Sequence, residues 1–173
     1  MRIFILLIFC FIAAPALADT AACKRMASEA PGSLQHFKLV ADRDYETENP
    51  GLGYGTRYEG PEGRLSVFYF DGGYGKLNPE IVRGYFDQAI KDLNTVSDRD
   101  GIALSKTRRV PVKDAKTIVG HFASVRDSTD RSHIVAMGDR NNCMVKFRFT
   151  GPIAIDASTD LFWSLMTQLD ASF

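Results

Sequence analysis

Tyr54, Thr56 and Tyr58 alternate with Gly55 and Arg57, the turn Gly60-Pro61-Glu62-Gly63 follows, and residues 65–70 return as Leu-Ser-Val-Phe-Tyr-Phe. A period of two is that of a strand, and proline suits the second position of such a turn. A four-residue turn pairs Tyr58 with Leu65, Thr56 with Val67 and Tyr54 with Tyr69, which puts all six on one face and sets Glu59 opposite Arg64. Phe68 and Phe70 make the other face of the returning strand apolar too, so this strand belongs in the middle of a sheet.

Around that hairpin the chain reads as a short helical N-terminal piece, then strands, helix, strands, helix. Residues 37–45 form a strand with a charged end. Asn78 is a good N-cap, Pro79 fits the first helical position and Glu80 suits the positive end of the helix dipole; Ile81, Val82, Tyr85, Phe86, Ala89, Ile90 and Leu93 follow as a core-facing stripe. Strands return at 117–126, 131–139 and 143–150, the last two joined through a turn at 139–142. The simplest register pairs Ile134 with Phe147, Ala136 with Val145 and Gly138 with Cys143, leaving Met137, Lys146 and Arg148 on the other face. A last helix is expected from about Thr159, capped by Ser158 or Asp156, with Leu161, Phe162, Leu165, Met166 and Leu169 facing inward. The fold class is α+β: an antiparallel sheet of five to seven strands packed against helices.

The first eighteen residues carry Arg2, an apolar core from Ile3 to Ile12, Pro15, and the small residues Ala16 and Ala18 where a signal peptidase reads. The run is shorter than the ~20 residues a membrane span needs, so 1–18 is expected to be a signal peptide, 19–33 an N-terminal segment and 34–173 a single domain, periplasmic or secreted. Without Arg2, 20 Lys and Arg face 21 Asp and Glu, a net charge of −1 that draws the chain neither to nucleic acid nor to an anionic bilayer. No stable membrane insertion is expected. Cys23 and Cys143 are the cysteines left after the signal. An oxidising compartment favours joining them; two free thiols, or lipidation of Cys23, are the other readings.

Recognisable chemistry is absent from the pattern. Gly72-Gly73-Tyr74-Gly75-Lys76 lacks both the leading glycine and the trailing Ser or Thr of a phosphate loop. Asp98-Arg99-Asp100-Gly101 would begin a calcium loop at Val96 and end it at Thr107, neither of which supplies a carboxylate. His121 and His133 lie on opposite sheet faces if an even loop joins their strands, or on one face but four residues apart if the loop is odd, so they do not share a zinc ion. No catalytic, metal-ligating or cofactor-binding residue is assigned, and no cofactor is expected. His121 reads as a packed structural histidine, with a role in a dispersed active site as the alternative. Lys106, Arg108, Arg109, Lys113 and Lys116 form the most uneven charge, either an anion-binding surface or a solvated strand edge. Tyr54, Tyr58, Tyr69 and Tyr74 are the other candidate surface, beside core packing.

The tract Gly53-Tyr54-Gly55-Thr56-Arg57-Tyr58, the strand Leu65-Ser66-Val67-Phe68-Tyr69-Phe70-Asp71 and the late strand Met144-Val145-Lys146-Phe147-Arg148-Phe149-Thr150 resemble those of exported bacterial proteins, in an order of elements similar to the Mog1/PsbP-like fold. The resemblance spans about 34–169 and implies a fold, not a catalytic residue. The expected function is a non-catalytic binding or envelope-assembly module with an envelope protein as its partner. The alternatives are a structural or stress protein without a specific ligand, and a hydrolase-like enzyme with a dispersed site.

Overall fold

The 54–70 hairpin forms in the expected register in the computed structural model, which describes residues 20–99, 107–109, 120–127, 129–152 and 154–173. Tyr54 pairs with Tyr69, Thr56 with Val67, Tyr58 with Leu65 and Glu59 with Arg64. Tyr58, Leu65, Val67 and Tyr69 are fully buried. Burying such a side chain is worth about 1.5–3 kcal/mol, so a one-residue slip, which would turn all of them outward, costs more than any local turn preference could recover.

In chain order the elements are α1 (Thr20–Ser28), β1 (Ser33–Leu34), β2 (Phe37–Asp44), β3 (Tyr54–Gly60), β4 (Gly63–Phe70), α2 (Pro79–Arg99), β5 (Thr107–Arg109), β6 (His121–Arg126), β7 (Ser132–Arg140), β8 (Cys143–Gly151) and α3 (Ile155–Asp170). The strands make one antiparallel sheet in the order β1-β2-β3-β4-β8-β7-β6-β5, with β4 at its centre. Seven of these strands have three residues or more; β1 is a two-residue edge piece. One face carries Phe37, Tyr58, Leu65, Val67, Tyr69, Val145, Phe147 and Phe149 and packs against α1 and α3. The other carries Phe70, Ala123, Val125, Val135, Met137 and Met144 and packs against the stripe Val82, Phe86, Ile90 and Leu93 of α2. Asn78 caps α2 as its sequence predicts, its Oδ1 accepting the Ile81 amide at 2.9 Å.

Two local expectations are corrected. β7 and β8 pair Ala136 with Phe147, Gly138 with Val145 and Arg140 with Cys143, two residues away from the simplest register. Asn141 and Asn142 both adopt positive φ, 52° and 64°, which makes a two-residue type I′ turn where the sequence suggested four residues. A shift of two preserves every face. α3 starts at Ile155 behind Ala154, which has no side-chain cap bond; Asp156 sits in the first turn, where its charge suits the dipole, and Ser158 is buried inside the helix.

A disulfide joins Cys23 on α1 to Cys143 on β8, with Cα atoms 5.3 Å apart. Residues 1–18, Asp100, Gly101, Lys106, Lys113 and Lys116 lie outside the described residues. Arg108 and Arg109 fall in the edge strand β5, in register with Ser124 and Ala123.

Candidate functional site

The helix α2 covers β6, β7 and the Phe70 end of β4 and leaves the same face of β2, β3 and the rest of β4 open. The residues on that open half follow from strand alternation and the pairing register. One row across the strands is Arg43, Gly55, Phe68, Lys146 and Met137; the next is Ala41, Arg57, Ser66, Arg148 and Val135. A β-bulge between Leu39 and Ala41 resets the parity of β2, turning Arg43 onto this face. Gly55 has no side chain, which lets the Tyr45 ring cross β3 to lie 6.4 Å from the Phe68 ring.

Between α2 and the 45–53 segment lies a cleft of about 440 Å³, lined chiefly by Tyr45, Leu52, Phe68, Phe70, Tyr85 and Lys146. Its two walls are fixed by polar anchors. The Glu46 carboxylate accepts the amides of Gly51 and Gly53 at 2.8–3.0 Å, and the Tyr45 amide donates to the Gly53 carbonyl at 2.9 Å. That closes 45–53 into a tight loop whose apex presents Leu52, 56% exposed. The entry into α2 is held by Asn142, whose Oδ1 accepts the Leu77 amide at 2.7 Å and whose Nδ2 donates to the Gly75 carbonyl at 3.2 Å.

Lys146 is the polar group on the cleft floor. Its Nζ stands 4.8 Å from the centroid of Phe68 and 5.9 Å from that of Phe70. Burial pushes the ammonium below the usual lysine range, Arg148 pushes it the same way, and Asp92 on α2 opposes both. Cation–π attraction returns about 0.5–2 kcal/mol of that cost. Arg148 is exposed in area, yet its guanidinium is held down by local burial and by the charge of Arg64; since arginine keeps its proton, the result is repulsion, not loss of charge. Among the described residues Lys146, Arg148 and Arg64 have no ion-pair partner, whereas Arg57 lies 3.5 Å from Glu59 and Arg43 lies 3.7 Å from Glu48.

The histidines stand apart from this cleft. An odd connection of five residues joins β6 to β7, so His121 and His133 share a face but lie opposite strand positions four residues apart, about 13 Å. His121 stacks on Phe86 with centroids 5.3 Å apart, and burial, aided by Arg83 and opposed by Asp87, lowers its proton affinity. His36 pairs with Glu62 at 2.5 Å. His133 Nε2 meets Asp127 Oδ2 at 2.7 Å. No group of three His, Cys, Asp or Glu among the described residues is placed to hold a metal ion. Tyr58 and Tyr69 are core residues, Tyr58 donating to the Pro31 carbonyl at 3.0 Å with its phenol pushed by burial up to about 12. The aromatic walls of the cleft come instead from Tyr45 and Tyr85.

Asp127 braces the β6–β7 loop. Its Oδ1 accepts from the Thr129 amide and hydroxyl and from the Arg131 amide, at 2.7–3.0 Å. Burial alone would raise its proton affinity; the bonds from His133, Thr129 and Arg131 outweigh it and hold the carboxyl well below the usual range. A depressed carboxyl stabilises the fold above its unfolded pKa, so this contribution is complete above about pH 4 and is lost as pH falls below that toward the folded value. Asp127→Asn should cost about 1–3 kcal/mol at neutral pH, and the gap from the parent should narrow in acid. Urea unfolding at both pH values checks this; a gap that stays constant rejects the assignment.

No protein-family model and no curated protein matches this chain. Two solved structures are similar. A GTP-binding regulator from Thermotoga maritima has 7% identity and a TM-score of 0.40, with 89% of each chain covered. The PsbP protein CyanoP of Synechocystis has 12% identity and a TM-score of 0.44, covering 79% of this chain and 85% of its own. At these values neither likeness says anything of family, ligand or partner.

Proposed function

We propose that this chain is an exported, non-catalytic binding module whose ligand site is the cleft between α2 and the 45–53 loop. The observation that carries the reading is a small, largely apolar concavity with one half-buried ammonium on its floor, Lys146 over Phe68. A volume of about 440 Å³ falls in the size range of small-molecule sites, which are typically apolar with a few fixed polar groups. Export is supported by the signal-like pattern of 1–18 and by a disulfide between Cys23 and Cys143, a bond that persists in oxidising compartments. An envelope protein that supplies or receives the ligand is the partner this reading calls for.

Ala89 lines the cleft from α2 and is the place to fill it. The neutral dye Nile red should brighten on the intact protein, and Ala89→Trp should abolish most of that signal while the melting temperature moves little. A dye signal indifferent to Ala89→Trp rejects the cleft as the site. N-terminal sequencing of the protein from fractionated cells should begin at Asp19; a mainly uncleaved cytoplasmic form rejects export.

A further inference from the structure

A recess of about 130 Å³ continues the cleft. It shares Phe68, Ala89, Asp92 and Lys146 with the larger space and adds Leu93, Val135 and Arg148. The two therefore form one trough: an apolar end under Leu52, Phe70 and Tyr85, and a charged end where Lys146 and Arg148 project from alternate positions of β8. Arg64 stands beyond it on β4, the next residue on the same face after the Ser66 that pairs with Arg148.

The charged end is built against its own stability. Two cations gather there, with Arg64 beyond them, and the carboxylate that faces them, Asp92, already accepts a hydrogen bond from Gln88 Nε2 at 2.7 Å and makes no ion pair with Lys146 among the described residues. Like charges in one recess repel, and a half-buried ammonium with no ion-pair partner recovers only part of its desolvation cost from the rings of Phe68 and Phe70. Departures of this sort from a locally consistent design are expected at functional sites. A cationic ligand would meet one carboxylate and two cations. A neutral one would leave Lys146 unpaired.

Resting on the cleft reading above, we infer that the ligand is an acidic amphiphile: an alkyl or aryl body lying along Phe68 and Phe70 toward Leu52, with a carboxylate or phosphate seated on Lys146 and Arg148. The arginine fork suits two parallel bonds to one acidic group, and the lysine acts beside it as a point charge. Carboxylate and phosphate share this chemistry and differ in charge, so the two can be told apart by affinity.

The experiment is displacement of Nile red from the disulfide-intact protein by decanoate, decyl phosphate, decanol and decyltrimethylammonium. Hydrogen bonds to a charged group are worth about 1.5–3 kcal/mol, so the two anions should displace the dye at concentrations at least about tenfold below decanol, with the ammonium compound weakest. Decyl phosphate ahead of decanoate would identify a phosphate head, the reverse a carboxylate. In the double variant Lys146→Met with Arg148→Met, the anions should fall to the level of decanol measured on the same variant, and the melting temperature should hold or rise because repulsion with Arg64 is relieved. Equal displacement by decanoate and decanol in the parent, or an anion preference that survives the double variant, overturns the acidic ligand and leaves the cleft standing. Dye binding that ignores Ala89→Trp overturns the cleft itself.

Discussion

Replacing Cys23 and Cys143 together by alanine is expected to lower the unfolding free energy by about 5 kcal/mol. The two residues are 120 apart in sequence, and a cross-link that closes so long a loop removes much of the freedom of the unfolded chain. The native side has a matching weakness. α1 has nine residues, too few to persist alone in water, and it is held to the sheet by Cys23 and Met26, both buried. Small domains have only about 5–15 kcal/mol in total, so the loss is large on that scale. The melting temperature should drop by about 10–20 °C, and amides in 20–28 should exchange with solvent ahead of the sheet. Non-reducing mass spectrometry of the parent should show two hydrogens fewer than the free-thiol mass. A double variant that melts with the parent would mean that the bridge closes a loop already ordered without it.

The elements that were legible in the sequence are those whose specification is local. In the 54–70 hairpin, alternation and the turn chemistry act over a few residues and agree with each other, so register and face both follow. The start of α2 rests on the Asn78 cap and on proline behind it, again within one turn. The β7–β8 hairpin shows where this stops. Its alternation fixes the face of Ile134, Ala136, Val145 and Phe147 but is blind to a slip of two; the register is decided by two asparagines that both tolerate positive φ, and Asn142 also holds the entry to α2.

The candidate site was less legible for a topological reason. Lys146 and Arg148 can be seen to leave the core face of a strand whose other residues from 143 to 149 are apolar, which is an unusual place for two cations. Their consequence depends on β4 lying beside β8, which brings Arg64 and Phe68 to them across some eighty residues of chain, and on α2 crossing the sheet so that β2, β3 and all but the Phe70 end of β4 stay open. Neither fact has a local signature. A run of charge along the chain, such as 106–116, draws attention for the opposite reason: it is contiguous in sequence, whereas Arg64 on β4 meets Lys146 and Arg148 on β8 only through strand pairing.

Gly53→Ala should unfold the wall of the cleft first and destabilise the domain by about 3 kcal/mol. Gly53 has φ +68°, a region that costs an L-residue about 1–2 kcal/mol. The heavier term is space. A Cβ there would press on the carbonyl oxygen of Tyr69 and stand 2.8 Å from the Cα of Phe70, and these are backbone atoms of the central strand, which cannot turn aside as a flexible side chain would. Overpacking of this kind costs about 1–3 kcal/mol more. The residue that yields is the loop: its Gly53 amide and carbonyl are the groups bonded to Glu46 and Tyr45, so a displaced Gly53 releases both anchors and with them the position of Leu52 over the cleft. Two other glycines separate the causes. Gly73 has φ +77°, but a methyl group on its Cα would meet nothing within 4 Å, so Gly73→Ala should cost only the conformational term, about 1 kcal/mol. Gly75 has neither restriction, and Gly75→Ala should be neutral. Urea unfolding of the three variants should rank them in that order, and Nile red binding under native conditions should be lost in Gly53→Ala alone. Equal costs at positions 53 and 73 would show that the approach to Tyr69 is not what fixes the loop, and the anchored wall would have to be given up.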